Sequence, residues 1–290
     1  MAIDEKGKLN QLITMNSVGL PVLMETWQRA AGIDPALWNI GLAGTTGTVV
    51  RSEAEEPYQK VILAGAANAD VARLYTTVKW QLAPDTWGLN TFQKALVMEW
   101  ECKFAVVAAI ENTTFFMGLA AGAAATRAAM NLAGFCLTAD ALNALTDDGG
   151  AETVSAVGAP VVTNWMKLTV LAYRGCIEFY VNEVMRARHT TAAPDENLPD
   201  VNVYGMFYLP QEALAVWVGL TAYGLGVFVR PTVENGFRYE ATTAGTTAAG
   251  EPAWPLVLGN TVVDGTVTWT CRARGELHLG DINIRPGVIL

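Results

Sequence analysis

Charged side chains are scarce in this sequence. Lys, Arg, Asp and Glu make up 16% of the 290 residues, whereas 51% are hydrophobic, and soluble domains usually carry roughly 25% charged residues. So low a share favours a protein whose surface is partly covered by neighbours in an assembly. The formal charge is −9, and no cluster of Lys and Arg is present. Nucleic-acid binding relies on such clusters, so no nucleic-acid partner is expected.

Cysteine and histidine are also rare. The chain has two histidines, His189 and His278, and four scattered cysteines, none of which forms a pair at metal-ligand spacing: Cys102, Cys136, Cys176 and Cys271. A structural zinc site is therefore not expected. The cysteines are predicted to be small hydrophobic residues of the core.

The sequence has no long uninterrupted apolar run. Its most hydrophobic region, residues 104–125, is broken by Glu111 and Asn112, which leaves it short of the roughly 20 apolar residues that span a bilayer. The N-terminus has no basic segment leading into an apolar core, so no signal peptide is expected either. Neither a membrane span nor a membrane partner is predicted.

Alternation with period two dominates from about residue 57. In residues 96–104 every second side chain is apolar, while Glu99, Glu101 and Lys103 occupy the other face. This pattern is typical of a half-buried antiparallel strand. Further strands are predicted at 71–82, 113–119, 152–157, 201–209, 226–229, 237–242 and 265–272, with a hairpin of 165–172 and 176–184 around Gly175.

Three short interruptions are expected. Residues 21–31 are predicted to form a short helix, since Val22, Leu23, Trp27 and Ala30 fall at near-helical spacing. Residues 138–145 are predicted to make one helical turn. Residues 124–132 fit a helix or a loop.

The composition divides the chain into three parts. Residues 1–50 form an N-terminal arm, which serves either as a docking arm or as a covering strand and loop on its own domain. Residues 51–216 form an antiparallel β-sandwich, so the fold class is mainly β. Residues 217–290 form a small C-terminal β domain and a tail that supplies a last strand.

The C-terminal part resembles a known group of proteins. It contains, in order, Gly236-Phe237-Arg238-Tyr239-Glu240-Ala241-Thr242-Thr243-Ala244-Gly245-Thr246, Glu251-Pro252-Ala253-Trp254-Pro255 and Val263-Asp264-Gly265-Thr266-Val267-Thr268-Trp269. This string, within residues 221–272, resembles the small β-modules of tailed-bacteriophage structural proteins, including tail-fibre and head-associated proteins.

A second resemblance concerns the sandwich. Trp165-Met166-Lys167-Leu168 followed by Ile177-Glu178-Phe179-Tyr180-Val181-Asn182-Glu183 resembles the back-sheet hairpin of concanavalin-like (lectin-like) jelly rolls. Glu183 stands where glycine is usual in that family. The resemblance implies a jelly-roll sandwich over about residues 57–215.

Candidate chemistry is sparse. Glu99 and Glu101 are spaced for paired-carboxylate glycoside hydrolysis, but the denser Glu-x-Asp-x-x-Glu array of jelly-roll glycosidases is missing, and a solvated strand face is the preferred interpretation. His189 is expected to be solvated. Residues 41–47 lack the Lys-Ser/Thr of a P-loop. A calcium site in loops is weighed against turn chemistry, which is preferred, for Asp147, Asp148, Asp195, Glu196 and Asp200.

The tryptophans suggest one contact residue. Trp100, Trp165 and Trp269 lie in alternating apolar strands and are expected to pack in the core. Trp254, between two prolines in a loop, is the one candidate for an exposed aromatic contact. No catalytic residue, cofactor or metal is predicted.

The resemblances imply a non-enzymatic structural protein of a tailed-phage virion. It would be made in the host cytoplasm and bind the capsid surface as a decoration, cement or head-fibre protein. Its partners would be the major capsid protein or neighbouring virion proteins, and a homo-oligomer, a trimer by analogy, is expected. The alternative is a tail-fibre or baseplate protein that binds a host surface glycan, and a glycan hydrolase is the third hypothesis.

Overall fold

The regular structure of the chain is built from strands. The computed structural model describes residues 12–15, 21–25, 33, 35–43, 48–52, 60–64, 70–77, 80–82, 93–121, 131–158, 164–173, 176–192 and 201–289. Within these ranges there is no helix, and the two large sheets contain only antiparallel pairs. The predicted mainly β class is confirmed.

The first large sheet, sheet I, contains the strand with the clear alternation. Its strands are β1 (Leu12–Met15), β2 (Pro21–Glu25), β4 (Thr48–Ser52), β5 (Lys60–Ala64), β8 (Gln93–Val106), β13 (Met166–Tyr173), β14 (Cys176–Val181), β15 (Val184–His189) and β24 (Glu276–Ile289). The main path runs β1-β2-β24-β8-β13-β14-β15, and β5 pairs with both β24 and β4. The predicted hairpin of residues 165–184 is therefore present as β13 and β14.

The second large sheet, sheet II, faces the first. Its strands are β3 (Trp38–Ala43), β6 (Val71–Thr76), β7 (Trp80–Leu82), β9 (Phe116–Ala121), β10 (Asn131–Thr138), β11 (Ala141–Asp148), β12 (Glu152–Gly158) and β16 (Val201–Pro210). The path runs β12-β11-β10-β9-β16-β6-β3, with β7 also on β16. The strand predicted at 71–82 is thus two strands, β6 and β7, which both pair with β16.

Aromatic side chains fill the space between the sheets. Trp100 on β8 of sheet I is fully buried and meets Phe135 and Phe207 of sheet II edge to face, with ring centroids 5.8 and 5.7 Å apart. Phe135 in turn meets Phe179 of β14 at 5.6 Å. Edge-to-face contacts of this kind stabilise a core beyond the area that they bury.

The C-terminal domain, called the module below, is a smaller sheet that follows β16. Its five-stranded sheet has the order β17 (Ala215–Val216), β19 (Phe228–Arg230), β20 (Arg238–Thr243), β23 (Val267–Arg272) and β22 (Thr261–Asp264), and β18 (Ala222–Tyr223) pairs with β21 (Gly245–Thr246). The strands predicted at 237–242 and 265–272 correspond to β20 and β23.

The last strand of the chain lies outside the module. β24 occupies the interior of sheet I, where it pairs with β8 along most of its length and with β2 on the other side. The module is therefore an insertion between β16 and β24. The composition placed this tail in the same part as the module, because the Gly-rich and Thr-rich stretch continues up to it. The predicted limits at residues 50 and 216 stay a prediction.

The two connections between the sandwich and the module are hydrogen bonded to each other. The Gln211 side chain donates to Gly275 O over 2.7 Å and accepts from Gly275 N over 3.1 Å. The buried guanidinium of Arg238 donates to Ala108 O of the sandwich over 3.0 Å and to Ala273 O over 3.1 Å. These bonds hold the start of the module against the end of the sandwich.

Two helical predictions are wrong. Residues 138–145 belong to the β10–β11 hairpin, whose turn residues Ala139 and Asp140 have φ values of 47° and 63°. Such a pair of left-handed residues makes a tight hairpin turn. Residues 21–25, the start of the other predicted helix, form β2, because pairing with β1 and β24 outweighs the near-helical spacing. The rest of that segment, and residues 124–130, lie outside the described residues.

The turn after β14 tolerates the unusual residue. Asn182 and Glu183 both have positive φ, 50° and 66°, and connect β14 to β15. Asn182 fits this conformation, and its side chain caps the neighbouring strand by accepting from Lys167 N at 2.9 Å. The hairpin of the concanavalin-like resemblance therefore forms with Glu183 in the glycine position.

The arm predicted at residues 1–50 contributes strands to both sheets. β1 and β2 extend sheet I beside β24, and β3 pairs with β6 in sheet II. Of the two alternatives, the described arm residues match a covering segment on the chain's own domain. Its use as an anchor stays a prediction.

Candidate functional site

The paired carboxylates of β8 lie on the outer face of sheet I. Lys167 of β13 is placed opposite Glu101, and its ammonium lies 3.2 Å from Glu99 Oε1 and 3.4 Å from Glu183 Oε1. The ammonium therefore forms an ion pair with the Glu99 carboxylate. The preferred interpretation, a polar outer strand face, agrees with this position.

Glu101 has the more unusual environment of the two. Burial, followed by the nearby Asp281 carboxylate, raises the pKa of Glu101 above its usual range. Gly280 lies so close that a Cβ there would be 3.0 Å from Glu101 Cβ, which shows how tightly the β24 backbone crosses this carboxyl group. A carboxyl group with a raised pKa beside a second, free carboxylate is the combination that glycoside hydrolysis requires, but here the second carboxylate, Glu99, is paired with Lys167.

The three tryptophans that were predicted to pack in the core differ in burial. Trp100 and Trp269 are fully buried, as predicted. Trp165 is only half-buried, and the Lys103 ammonium lies 5.6 Å from the centre of its ring. Trp165 precedes the first residue of β13 and has the same parity as Lys167 and Thr169, so it packs at the end of the outer face of sheet I and not in the predicted core position.

His189 is buried and hydrogen bonded, so the expectation of a solvated histidine is wrong. It is 4% exposed, at the end of β15, and its ring lies against Phe179 with centroids 4.9 Å apart. Its Nδ1 lies 2.9 Å from Thr146 Oγ1, and its Nε2 lies 2.9 Å from Ser155 Oγ. The two hydroxyls belong to β11 and β12 of sheet II, so this imidazole joins the edges of the two sheets.

Both ring nitrogens of His189 have a hydroxyl partner, and a hydroxyl can either donate to or accept from a ring nitrogen. Thr146 Oγ1 also lies 3.3 Å from the carbonyl oxygen of Thr191. The neutral imidazole is thus fully satisfied, and the spacing of residues 146, 155 and 189 gave no sequence signal for it.

Acid should weaken the sandwich through His189. Burial lowers the pKa of His189 below its ordinary value of 6.5, so at a pH between the folded and unfolded pKa values the unfolded chain binds more protons. The contribution of His189 to the free energy of unfolding is therefore fully present above about pH 6.5. It is lost as the pH drops through the pKa of His189 in the folded protein. Urea unfolding at about pH 7.5 and about pH 5 should show a lower midpoint in acid.

The matched variant is His189→Asn, which has no group that titrates in this window. Its unfolding midpoint should change less between the two pH values than that of the wild type. An equal change in both proteins would assign the acid sensitivity to other groups.

The acidic residues weighed as calcium ligands serve the β11–β12 turn. Asp147 accepts from Gly149 N over 2.7 Å, and Asp148 accepts from Gly150 N and Ala151 N over 2.8 and 2.7 Å. This is the predicted turn chemistry. Asp195, Glu196 and Asp200 lie outside the described residues. No group of three or more potential metal ligands occurs among the residues that the structure describes.

The four cysteines are buried free thiols, as the prediction of small core residues requires.

The described residues include no helix that could span a membrane.

A buried carboxylate organises the module. Asp264 is almost completely buried, and its Oδ2 accepts from the indole N–H groups of Trp217 over 2.7 Å and Trp269 over 3.0 Å. Its Oδ1 accepts from Ala248 N over 2.8 Å. Three segments far apart in sequence are therefore fastened by one side chain.

Trp254, the predicted exposed contact, packs partly into the module. Its ring lies 4.2 Å from that of Tyr239 and 6.0 Å from that of Trp269, and its N–H donates to Glu251 Oε1 over 2.8 Å. The residue is half-buried. Its role as a contact stays a prediction.

The surface of the module is nearly free of charge. Residues 213–271 contain six charged side chains in 59 positions and no lysine: Arg230, Glu234, Arg238, Glu240, Glu251 and Asp264. Arg230 pairs with Glu234, and Glu240 pairs with Arg272. Arg238 and Asp264 are buried, and Glu251 binds Thr232 and Trp254. A free protein surface usually carries about 25–35% charged residues.

Exposed aliphatic side chains are concentrated on the same module. Fifteen large hydrophobic side chains are exposed in the described part of the chain, and ten of them belong to residues 213–271. They fall in two groups and one isolated residue: Val216, Val218, Leu220, Leu225 and Val227; Leu256, Val257, Leu258 and Val263; and Val233. This concentration of exposed apolar side chains makes the module the candidate interaction surface among the described residues.

Comparisons with known proteins extend only to the fold. No protein-family model matches the sequence, and no curated protein matches it. Among solved structures, the carbohydrate recognition domain of Emp46p in its potassium-bound form has a TM-score of 0.48 at 8% identity, over 87% of this chain and 90% of that one. The β-glucanase of Bacillus licheniformis has a TM-score of 0.42 at 8% identity, over 91% and 97%.

Two further structures complete the comparison. The alginate lyase AlyC3 has a TM-score of 0.44 at 6% identity, over 79% of this chain and 75% of that one. The chain spans 44% of the length of the botulinum neurotoxin serotype D binding domain, at a TM-score of 0.41 and 8% identity. Because these likenesses are weak, the fold rests on the sheet pairing itself. By that pairing the chain is a mainly β protein with an antiparallel β-sandwich.

Proposed function

We propose that this protein is a non-enzymatic structural component of a tailed-phage virion, bound to the capsid surface as a decoration, cement or head-fibre protein. The charge-poor module with its exposed aliphatic side chains carries the proposal. The sequence of that module resembles the modules of phage structural proteins, and its surface has the composition of one that a neighbour covers.

The module, rather than the arm, is the attachment site in this proposal. The described strands of residues 1–50 are used in the sheets of the sandwich. In contrast, residues 215–227, called the docking segment below, expose five aliphatic side chains and contain no charge. The major capsid protein is the partner we propose for this segment, because a broad contact without charge fits the apolar centre of a protein interface.

Catalysis is not part of the proposal. Glu99, the carboxylate that a glycosidase would need ionised and free, is paired with Lys167 at 3.2 Å. Host-glycan binding is the competing function. Trp254, suggested for that role, is half-buried with its ring centroid 4.2 Å from that of Tyr239, so the virion hypothesis has the larger exposed surface in its favour.

Particle binding tests the function directly. Purified protein is added to phage particles produced without its gene, and occupancy is measured by quantitative gel analysis and by electron microscopy with an antibody. Leu225→Glu places a charge in the docking segment and should lower the affinity at least about tenfold, the effect of losing one buried leucine contact. The matched control is Leu42→Glu, at an exposed leucine of the sandwich (54% exposed, against 72% for Leu225).

The outcomes separate the hypotheses. Label over the capsid, lost with the Leu225 change and kept with the Leu42 change, is the expected result. Label on the tail, or binding to host cells or glycans in place of particles, would support host recognition instead. Failure to bind any part of the particle would reject the virion role.

A further inference from the structure

The strand β22 ends the five-stranded sheet of the module. It pairs with β23 on one side, and no described strand pairs with its other side. The pairing extends before the strand, since Gly259 N donates to Cys271 O over 3.0 Å and Cys271 N donates to Asn260 O over 2.9 Å. Gly259 and Asn260 both face Cys271, as in a β-bulge, so the regular free edge runs from Thr261 to Asp264.

The register shows which backbone groups of this edge are free. Because Cys271 bonds to the edge strand, the next residues of β23 that do so are Trp269 and Val267. Their partners are Val262 and Asp264. The N–H and C=O groups of Thr261 and Val263 therefore point away from β23, toward the open side of the sheet.

Beyond the bulge at residues 259 and 260, this edge lacks the features that keep sheet edges apart. Native edges are commonly protected by charges, especially Lys, by proline or by a bulge. Here residues 252–263 contain no charged side chain, and Asp264 is turned inward onto the two tryptophans. Val263 is 69% exposed, and the turn before the strand exposes Leu256, Val257 and Leu258.

Charge favours a second copy of this chain as the occupant of the edge. Two arginines and four acidic residues give residues 213–271 a net charge of −2, and Arg272 at the end of β23 brings the module to −1, which leaves −8 of the chain's −9 outside it. Two copies therefore repel each other mainly through their sandwiches, and the uncharged edge of the module is where they can meet with least repulsion. An edge strand is also self-complementary, because a two-fold axis brings the same free groups face to face.

We propose that two copies of this chain pair through β22, antiparallel and around a two-fold axis, to form one continuous ten-stranded sheet. In the register that matches the free groups, Thr261 of one copy lies opposite Val263 of the other. Each of these two pairs exchanges two backbone hydrogen bonds, and the β-branched side chains of Thr261 and Val263 pack side by side on the outer face. The contact exists in solution and does not depend on the virion role.

Proline at position 263 tests the contact without disturbing the module. Because the N–H of Val263 points outward, its loss leaves the β22–β23 ladder intact, while two of the four hydrogen bonds between the copies disappear by symmetry. Analytical ultracentrifugation of the full chain should show a dimer for the wild type. Val263→Pro should dimerise about thirtyfold more weakly, the effect of two lost hydrogen bonds of ordinary net strength.

Val263→Thr is the matched control, because it keeps the N–H group and the β-branched shape and should remain a dimer. Thr261→Pro removes the other outward N–H and should repeat the effect. Near-ultraviolet circular dichroism, which reports Trp217 and Trp269, checks that each variant is folded. A monomeric or trimeric wild type, or folded proline variants that dimerise as the wild type does, would overturn the proposal.

A failure here is distinguishable from failure of the proposed function. Val263→Pro leaves the docking segment unchanged, so its binding to particles tests the virion role separately from the dimer. A wild type that binds particles as a monomer would reject the edge contact and keep the virion role. A dimer that binds no particle would do the reverse.

Discussion

Asp264→Ala should lower the free energy of unfolding of the module by about 3–5 kcal/mol. The substitution removes the acceptor of two buried indole N–H groups and of Ala248 N. Each donor left unsatisfied costs about 1–3 kcal/mol. The module should lose its fixed tryptophan environment first, which tryptophan fluorescence and near-ultraviolet circular dichroism in a urea titration would detect.

Asp264→Asn is the control for size and shape. Its side-chain oxygen can still accept from the indoles, but its NH₂ group faces Ala248 N in place of an acceptor, so a smaller loss of about 1–2 kcal/mol is expected. Equal unfolding curves for the alanine variant and the wild type would show that the module does not need this carboxylate.

Trp100→Ala should destabilise the sandwich by about 3–5 kcal/mol. The side chain is fully buried between the two sheets and contacts the rings of Phe135 and Phe207. Its removal leaves a cavity that β-sheets fill poorly, because each neighbouring side chain is held by strand pairing on both sides. Urea unfolding followed by far-ultraviolet circular dichroism measures the loss.

Trp100→Phe keeps an aromatic ring in the same contacts and should cost less than half as much. The module tryptophans also provide an internal reference, since their transition should stay unchanged in both variants. A small effect of the alanine variant would mean that the two sheets are held together mainly by residues other than this aromatic cluster.

Local alternation made the sandwich strands readable from the sequence. Every second residue of 96–104 is buried in the structure, because a strand with one face on the core must alternate. The β13–β14 hairpin was equally readable, with β-branched and aromatic residues on both sides of a glycine. These features depend on neighbours in the chain, which a sequence shows directly.

Features that depend on distant partners were not readable. The turn of Ala139 and Asp140 lacks the Asn-Gly pattern of a tight hairpin, so the apolar residues after it suggested a helix. The role of Asp264 requires Trp217, which lies 47 positions away. His189 meets hydroxyls that lie 34 and 43 positions away. None of these pairings leaves a mark in sequence spacing.

The candidate interaction surface could be predicted from the sequence only in part. The missing charges of residues 213–271 can be counted in the sequence, but a charge-poor segment is also what a buried core contains. Only the structure shows that ten of its aliphatic side chains are exposed and that no described strand pairs with the outer side of β22.

The position of β24 determines the order in which the module and the sandwich can finish folding during translation. Every strand of the module emerges before β24 does, so the module can finish folding while sheet I still lacks the strand between β8 and β2. Until that strand arrives, β8 exposes an open edge during translation. A stalled or prematurely released nascent chain would thus carry a finished module on an unfinished sandwich, and chaperone capture should be strongest in that interval.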